Sequence, residues 1–165
     1  MGATTTSTAV WTMLAERWRK AIKAKNLSEL TERGYLATAR RWIDWLAAQG
    51  YDIEPAEANA YHVDDFITDL IAATSAANGA HHYRNLRAFF SWLVKRGEIA
   101  INPMNQTDPP RVPEKITPLL TDQEHASVLG VCAGRDFASL RDTAIILLFI
   151  DTGLRVSELA SLTVD

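Results

Sequence analysis

Arg155 and Glu158 stand three residues apart, directly after Thr152-Gly153-Leu154. A guanidinium is a planar fork of donors that can hold a phosphate through two parallel hydrogen bonds. A carboxylate one helical turn further on, on the same face, can pin that fork and set its direction. The glycine ahead of them ends one helix and leaves the arginine at the start of the next, where the chain reverses. Such a pair suits stabilisation of charge on a phosphoryl group. The same spacing also suits an ordinary surface ion pair of small energetic weight. Other chemistry is less well served. His81 and His82 are adjacent, so on a helix their side chains diverge and do not share a metal. There is no glycine-rich phosphate loop and no pair of metal carboxylates. Neither a metal nor any other cofactor is expected.

The elements that must position these residues are helices. Trp11, Leu14, Trp18 and Ile22 recur at three- and four-residue steps. A second pattern, from about Ser28 to Gln49, turns Leu36, Ala39, Ile43 and Leu46 inward, with Gly50 as its stop. Val63, Phe66, Ile67, Leu70 and Ile71 form a third stripe, and Asp64 and Asp65 read as charge in its first turn. A fourth runs from about Ala76 to Arg96, with Tyr83, Leu86, Phe89, Phe90, Leu93 and Val94 facing in and Gly97 ending it. All five tryptophans lie in this part, which predicts an aromatic-cored bundle of four helices.

From about Asn102 to Pro118 the pattern breaks. Five of the six prolines fall there, which reads as an extended linker. Thr121-Asp122-Gln123-Glu124 then opens a fifth helix as a capping box. A sixth runs from about Ser139 to Asp151, with Leu140, Ala144, Leu147 and Leu148 inward, and a short seventh starts near Arg155. Thr163-Val164-Asp165 could open a β-strand. The second domain, from 119, is expected to be truncated, because so short a segment lies below the size that usually folds unaided.

The net charge of −3 excludes a histone-like binder but permits a local basic face. Arg17, Arg19, Lys20, Lys23 and Lys25 cluster early, Arg84, Arg87, Lys95 and Arg96 cluster late, and an acidic stretch from Asp52 to Asp69 lies between them. No apolar run is long enough for a membrane helix. Residues 1–9 carry no leader pattern and read as a tail, and Cys132 is the only cysteine. A cytoplasmic, nucleoid-associated location is the expectation.

The segment Thr152-Gly153-Leu154-Arg155-Val156-Ser157-Glu158-Leu159, preceded by Arg141-Asp142-Thr143-Ala144, closely resembles the first catalytic box of the tyrosine recombinases, the phage integrase family. Leu86-Arg87-Ala88-Phe89-Phe90-Ser91-Trp92-Leu93, Gly97-Glu98-Ile99 and Asn102-Pro103 resemble the last helix and exit of that family's core-binding domain. The stretch from Thr31 and Tyr35 to Trp42 and Leu46 is similar to its second helix.

The resemblance implies an all-α chain. It would comprise a four-helix SAM-like core-binding bundle at about 10–103, a linker at 104–118, and the first helices of a truncated α+β catalytic domain at 119–165. It implies site-specific DNA recombination through a 3′-phosphotyrosyl link, with a double-stranded recombination site and other recombinase protomers as partners and no membrane. Arg155 then matches the first catalytic arginine and Glu158 its acidic support. Arg40, Arg41, Arg84, Arg87, His82, Lys95 and Arg96 are the expected DNA contacts. Trp45 and Trp92 could serve contacts between protomers, or simply pack.

The family's lysine, histidine box and nucleophilic tyrosine lie downstream of the first arginine. Here no tyrosine follows Tyr83, no lysine follows Lys115 and no histidine follows His125. By itself this stretch is not expected to cut DNA, although the full-length protein is expected to be an enzyme. Two other readings stay open on sequence: a non-enzymatic helical module for a protein surface, and a truncated regulator that occupies DNA.

Overall fold

The computed structural model describes residues 6–114 and 118–163. The first five residues of the expected tail at 1–9, the middle of the linker at 115–117 and the strand-prone Val164-Asp165 lie outside the described residues. The chain divides into two compact units, Met1–Glu114 and Lys115–Asp165. Among the described residues every regular element is helical.

The first unit holds α1 (Thr6–Ala24), α2 (Glu29–Ala48), α3 (Ala60–Ala73) and α4 (Ala76–Lys95). Helix α1 packs on α2, while α2 and α3 both pack on α4. The apolar stripes read from the sequence form the core. Trp11, Leu14, Trp18 and Ile22 of α1 meet Leu36, Ala39, Ile43 and Leu46 of α2, with Val63, Phe66, Ile67 and Leu70 from α3. Trp42 has no exposed surface. Its ring meets Trp11, Phe66 and Phe90 edge-on at centroid separations of 6.0, 5.4 and 5.7 Å. Ile71 and Val94, expected inside, are partly buried and pack against this cluster.

Side chains set the helix ends. Ser28 caps α2 through the Thr31 amide, and Ser75 caps α4 through the Asn78 amide. Asn59 caps α3 through the amide of His62, so the helix begins at Ala60. Asp64 and Asp65 therefore fall in its second turn rather than its first. Burial, with Asp65 and Asp108 nearby, raises the Asp64 carboxyl above its ordinary range. Gly79 is required by packing: a Cβ there would stand 2.4 Å from Cγ1 of Ile71, so α3 and α4 approach closely at that point.

The bundle reaches beyond its four helices at both ends. Helix α1 starts at Thr6, inside the expected tail, because Ser7 is buried and its hydroxyl donates to Asp52. A 3-10 turn at Pro103–Gln106 folds back onto α4. Met104 is enclosed, and the Tyr83 hydroxyl donates to the Thr107 carbonyl at 2.8 Å.

The second unit holds α5 (Asp122–Val131), α6 (Phe137–Thr152) and α7 (Val156–Ala160). Thr121 and Glu124 form the expected capping box. Asp136 caps α6 through the Ser139 amide, and Gly153 ends it in the left-handed region at φ 65°. The Thr143 hydroxyl ties α6 to the Cys132 carbonyl at 3.2 Å. No described residue of this unit is buried. Leu140, Ala144, Leu147 and Leu148, expected inward, are exposed, since α5 and α7 are too short to cover them.

Candidate nucleic-acid interface and phosphate-holding arginine

Helices α2 and α4 meet through polar side chains as well as apolar ones. The Asn85 Nδ2 donates to the Gly34 carbonyl at 3.2 Å and to the Thr38 hydroxyl at 3.0 Å. The Thr38 hydroxyl lies 2.8 Å from His82 Nδ1 and 3.1 Å from the Gly34 carbonyl. These bonds lock the two helices in register, since a buried polar group left without a partner costs more than a made bond returns. The sequence reading placed His82 at the surface; the structure buries it to 8% exposure and leaves His81 outside. Burial, then His81 and Arg41, push the His82 imidazole below its ordinary pKa. The signal that could have found it is the spacing: His82, Leu86, Phe89 and Leu93 follow each other at four-, three- and four-residue steps on the buried stripe.

Successive helical residues are turned by about 100°, which separates the expected contacts. Arg41 lies on the side of α2 that carries Gly34, Thr38 and Trp45. It also rims a cleft of about 330 Å³ between α2 and α3, floored by Trp45, Phe66 and Leu70. Arg40 falls on the opposite flank. On α4, His81, Arg84, Ala88 and Lys95 share the outward face. Arg87 is four residues from both Tyr83 and Ser91, which bond to Thr107 and Asn102, so it faces the 102–107 segment instead. Arg96 lies 6.0 Å from the Trp92 ring centroid and lines a cleft with Lys95, Ala21, Ala24 and Lys25. Arg41 and Arg84 thus flank the seam where α2 meets α4 through Thr38, His82 and Asn85, whereas Lys95 and Arg96 line that cleft with Trp92, Ala21 and Ala24.

Charge pairing divides the basic residues a second way. Arg17, Arg19 and Lys23 of α1 pair with Glu98, Glu16 and Glu32, and Arg33 pairs with Glu29. Among the described residues Arg40, Arg41, Arg84, Arg87, Lys95 and Arg96 have no carboxylate within ion-pair distance. Their charge is available to an anionic partner.

In the second unit Arg155 directly precedes α7. Its backbone amide donates to Glu158 Oε2 at 2.7 Å, and its Nη1 donates to Oε1 at 3.0 Å. One carboxylate thereby fixes both ends of the residue. The Arg155 side chain is 82% exposed, leaving its remaining donors open to solvent. A group held in direction with donors to spare is able to receive a phosphate.

Residues 14–98, from the middle of α1 to just past α4, match the family described as "Phage integrase, N-terminal SAM-like domain". The chain belongs to this family. It is 28% identical over 166 aligned positions to tyrosine recombinase XerD of Corynebacterium glutamicum, covering 93% of this chain and 53% of that protein. It is 39% identical over 79 residues to tyrosine recombinase XerC of Xylella fastidiosa, covering 48% of this chain and 26% of that one. The integrase from mycobacterium phage Brujita superposes with a TM-score of 0.55 at 29% identity, covering 90% of this chain and 48% of that one. The chain spans about half the length of the curated relatives it matches. No described helix is long and apolar enough to cross a membrane.

Proposed function

We propose that the helical bundle grips duplex DNA at a recombination site, and that the full-length protein cuts and rejoins DNA there through a phosphotyrosyl intermediate. Residues from about 10 to 103 form the core-binding domain in this reading, and residues from about 119 onward open the catalytic domain. The observation that carries it is the α2–α4 seam of an integrase SAM-like bundle, beside which Arg41 and Arg84 stand without carboxylate partners. Neutralising phosphates is what such cations do best. Arg155 is the charge-stabilising arginine of strand cleavage, and Glu158 holds its direction. Other protomers bound at the same site, in the nucleoid, complete the assembly.

Duplex affinity measured against salt tests the binding half. Replacing Arg40, Arg41, Arg84 and Arg87 together by alanine should lower the log–log salt slope by about one for each phosphate no longer neutralised. Restoring Arg41 and Arg84 should recover more affinity than restoring Arg40 and Arg87, because only the first two share the α2–α4 surface. Unchanged affinity and slope in the fourfold variant would place the DNA face elsewhere.

A further inference from the structure

Arg17, Arg19 and Lys23 of α1 each meet a carboxylate, whereas Lys25, just past the helix end, has none within ion-pair distance among the described residues. Asn26 follows it in the left-handed region at φ 52°, a conformation that stops the helix there. Two adjoining hollows of about 220 and 300 Å³ open between α1 and α4, and Ala21, Lys25, Trp92 and Lys95 line both. Arg96 joins the second, its guanidinium 6.0 Å from the Trp92 ring centroid. Stacked aromatic pairs fix the walls: Trp18 on Tyr35 at 5.2 Å and Trp92 on Phe89 at 6.4 Å between ring centroids. Ala21, Ala24 and Ala88 are too small to fill the space between those walls. Three cations on the rim of an apolar cleft reinforce one another's potential, and an anion seated there relieves their mutual repulsion.

Helix geometry selects the anion. Lys95 follows Arg84 by close to three turns of α4, so the two stand on one side of the helix about 16 Å apart. Ala88, between them on that side, also lines the cleft, so the cleft opens beside Arg84. A duplex turn is about 34 Å long, and a backbone that passes Arg84 therefore also reaches Lys95. An acidic peptide would account for the cations of the cleft and leave Arg84 unexplained. Ser91 lines the cleft as well; its Oγ accepts from Asn102 Nδ2 at 3.2 Å, which leaves the hydroxyl proton free to donate. Resting on the DNA-binding reading above, we propose that the α1–α4 cleft seats a backbone phosphate of the bound duplex through Lys25, Lys95 and Arg96, so that α1 joins α2 and α4 in the grip. Arg96, held over Trp92, supplies a planar fork, and the two lysines supply point charges. The contact positions the duplex without reading its sequence, as phosphate contacts do.

The test is affinity for a short mixed-sequence duplex against salt, in the wild type and with Lys25→Gln, Lys95→Gln and Arg96→Gln combined. Loss of one phosphate contact should lower the log–log slope by about one and the affinity at about 0.1 M salt by about tenfold, equally on unrelated sequences. If these cations only complement the carbonyl ends of α1 and α4, the variant loses stability in urea unfolding while affinity and slope stay at wild-type values. That result overturns the proposal and leaves the reading built on Arg41 and Arg84 standing. Reductive methylation of the wild-type chain, read by mass spectrometry, requires no variant to fold. Duplex should protect Lys25 and Lys95, while Lys20, exposed on α1 outside the cleft, stays reactive. Equal reactivity of Lys25 and Lys95 with and without bound duplex overturns the proposal. Protection of both by polyglutamate but not by duplex also overturns it, and assigns the cleft to an acidic protein segment. No duplex binding by the wild type overturns both the cleft and the DNA reading.

Discussion

The two units use the same local devices and reach different ends. Ser28, Asn59 and Ser75 cap helices in the bundle as Thr121 and Asp136 do beyond it. The bundle nevertheless encloses Trp42 completely, whereas Phe137 in the second unit is 80% exposed. Capping decides where a helix starts, but it does not give the helix an opposing face. The four bundle helices each present an apolar stripe to another, while α6 has only a ten-residue and a five-residue helix beside it. Stability and function divide along the same line. The bundle has a rigid core beneath a charged face suited to gripping, and the second unit carries the arginine suited to chemistry.

The sharpest test of that division is Arg155→Ala in a polypeptide of full recombinase length. Strand cleavage should fall by about 10²–10³ while site affinity stays near normal. Arg155→Lys should rescue poorly, because a point charge does not reproduce a two-pronged contact. Near-normal cleavage by the alanine variant would reduce the residue to a helix-start ion pair. Next in size is the core. Trp42→Ala should cost about 3–5 kcal/mol of bundle stability in urea unfolding, and Leu147→Ala in the second unit about 0.5 kcal/mol or less. Comparable costs would mean that α6 has a core of its own. The smallest contrast lies in the caps. Ser75→Ala should lower the global stability of the bundle by about 1 kcal/mol. Thr121→Ala should instead fray α5 alone, visible as faster amide exchange in that helix with the bundle's midpoint unchanged.

The helical class, the four stripes and the helix stops were legible because each depends on neighbours within one or two turns. Trp11, Leu14, Trp18 and Ile22 needed no partner to be recognised as a face. Three features were less accessible. Met104 and Thr107 sit in a proline-rich stretch that reads as linker, and only the approach of Tyr83 makes them part of the bundle. Asp64 reads as helix-start charge until Asn59 is seen to cap four residues earlier than the aspartates suggest. His82 and His81 are chemically identical neighbours, so the choice between them rests on which one continues the Leu86, Phe89 and Leu93 spacing. Near the catalytic box, spacing alone left Arg155 divided between a phosphate site and a surface pair. Its contacts with Glu158 describe the geometry of either.

The confinement of all five tryptophans to the bundle has an optical consequence. Indole emission from this chain comes only from residues 11 to 92, so it is a private signal of the bundle. Trp45 rims the cleft beside Arg41 with its indole N–H held by Asp69 at 2.9 Å, and Trp92 lies under Arg96. Two of the five chromophores thus sit close to cations whose partners would change on binding. The second unit, lacking both tryptophan and tyrosine, is dark at the same wavelengths and contributes only backbone dichroism. Intrinsic fluorescence and far-ultraviolet dichroism therefore act as separate channels. When their melting profiles diverge, the difference belongs to residues beyond the bundle.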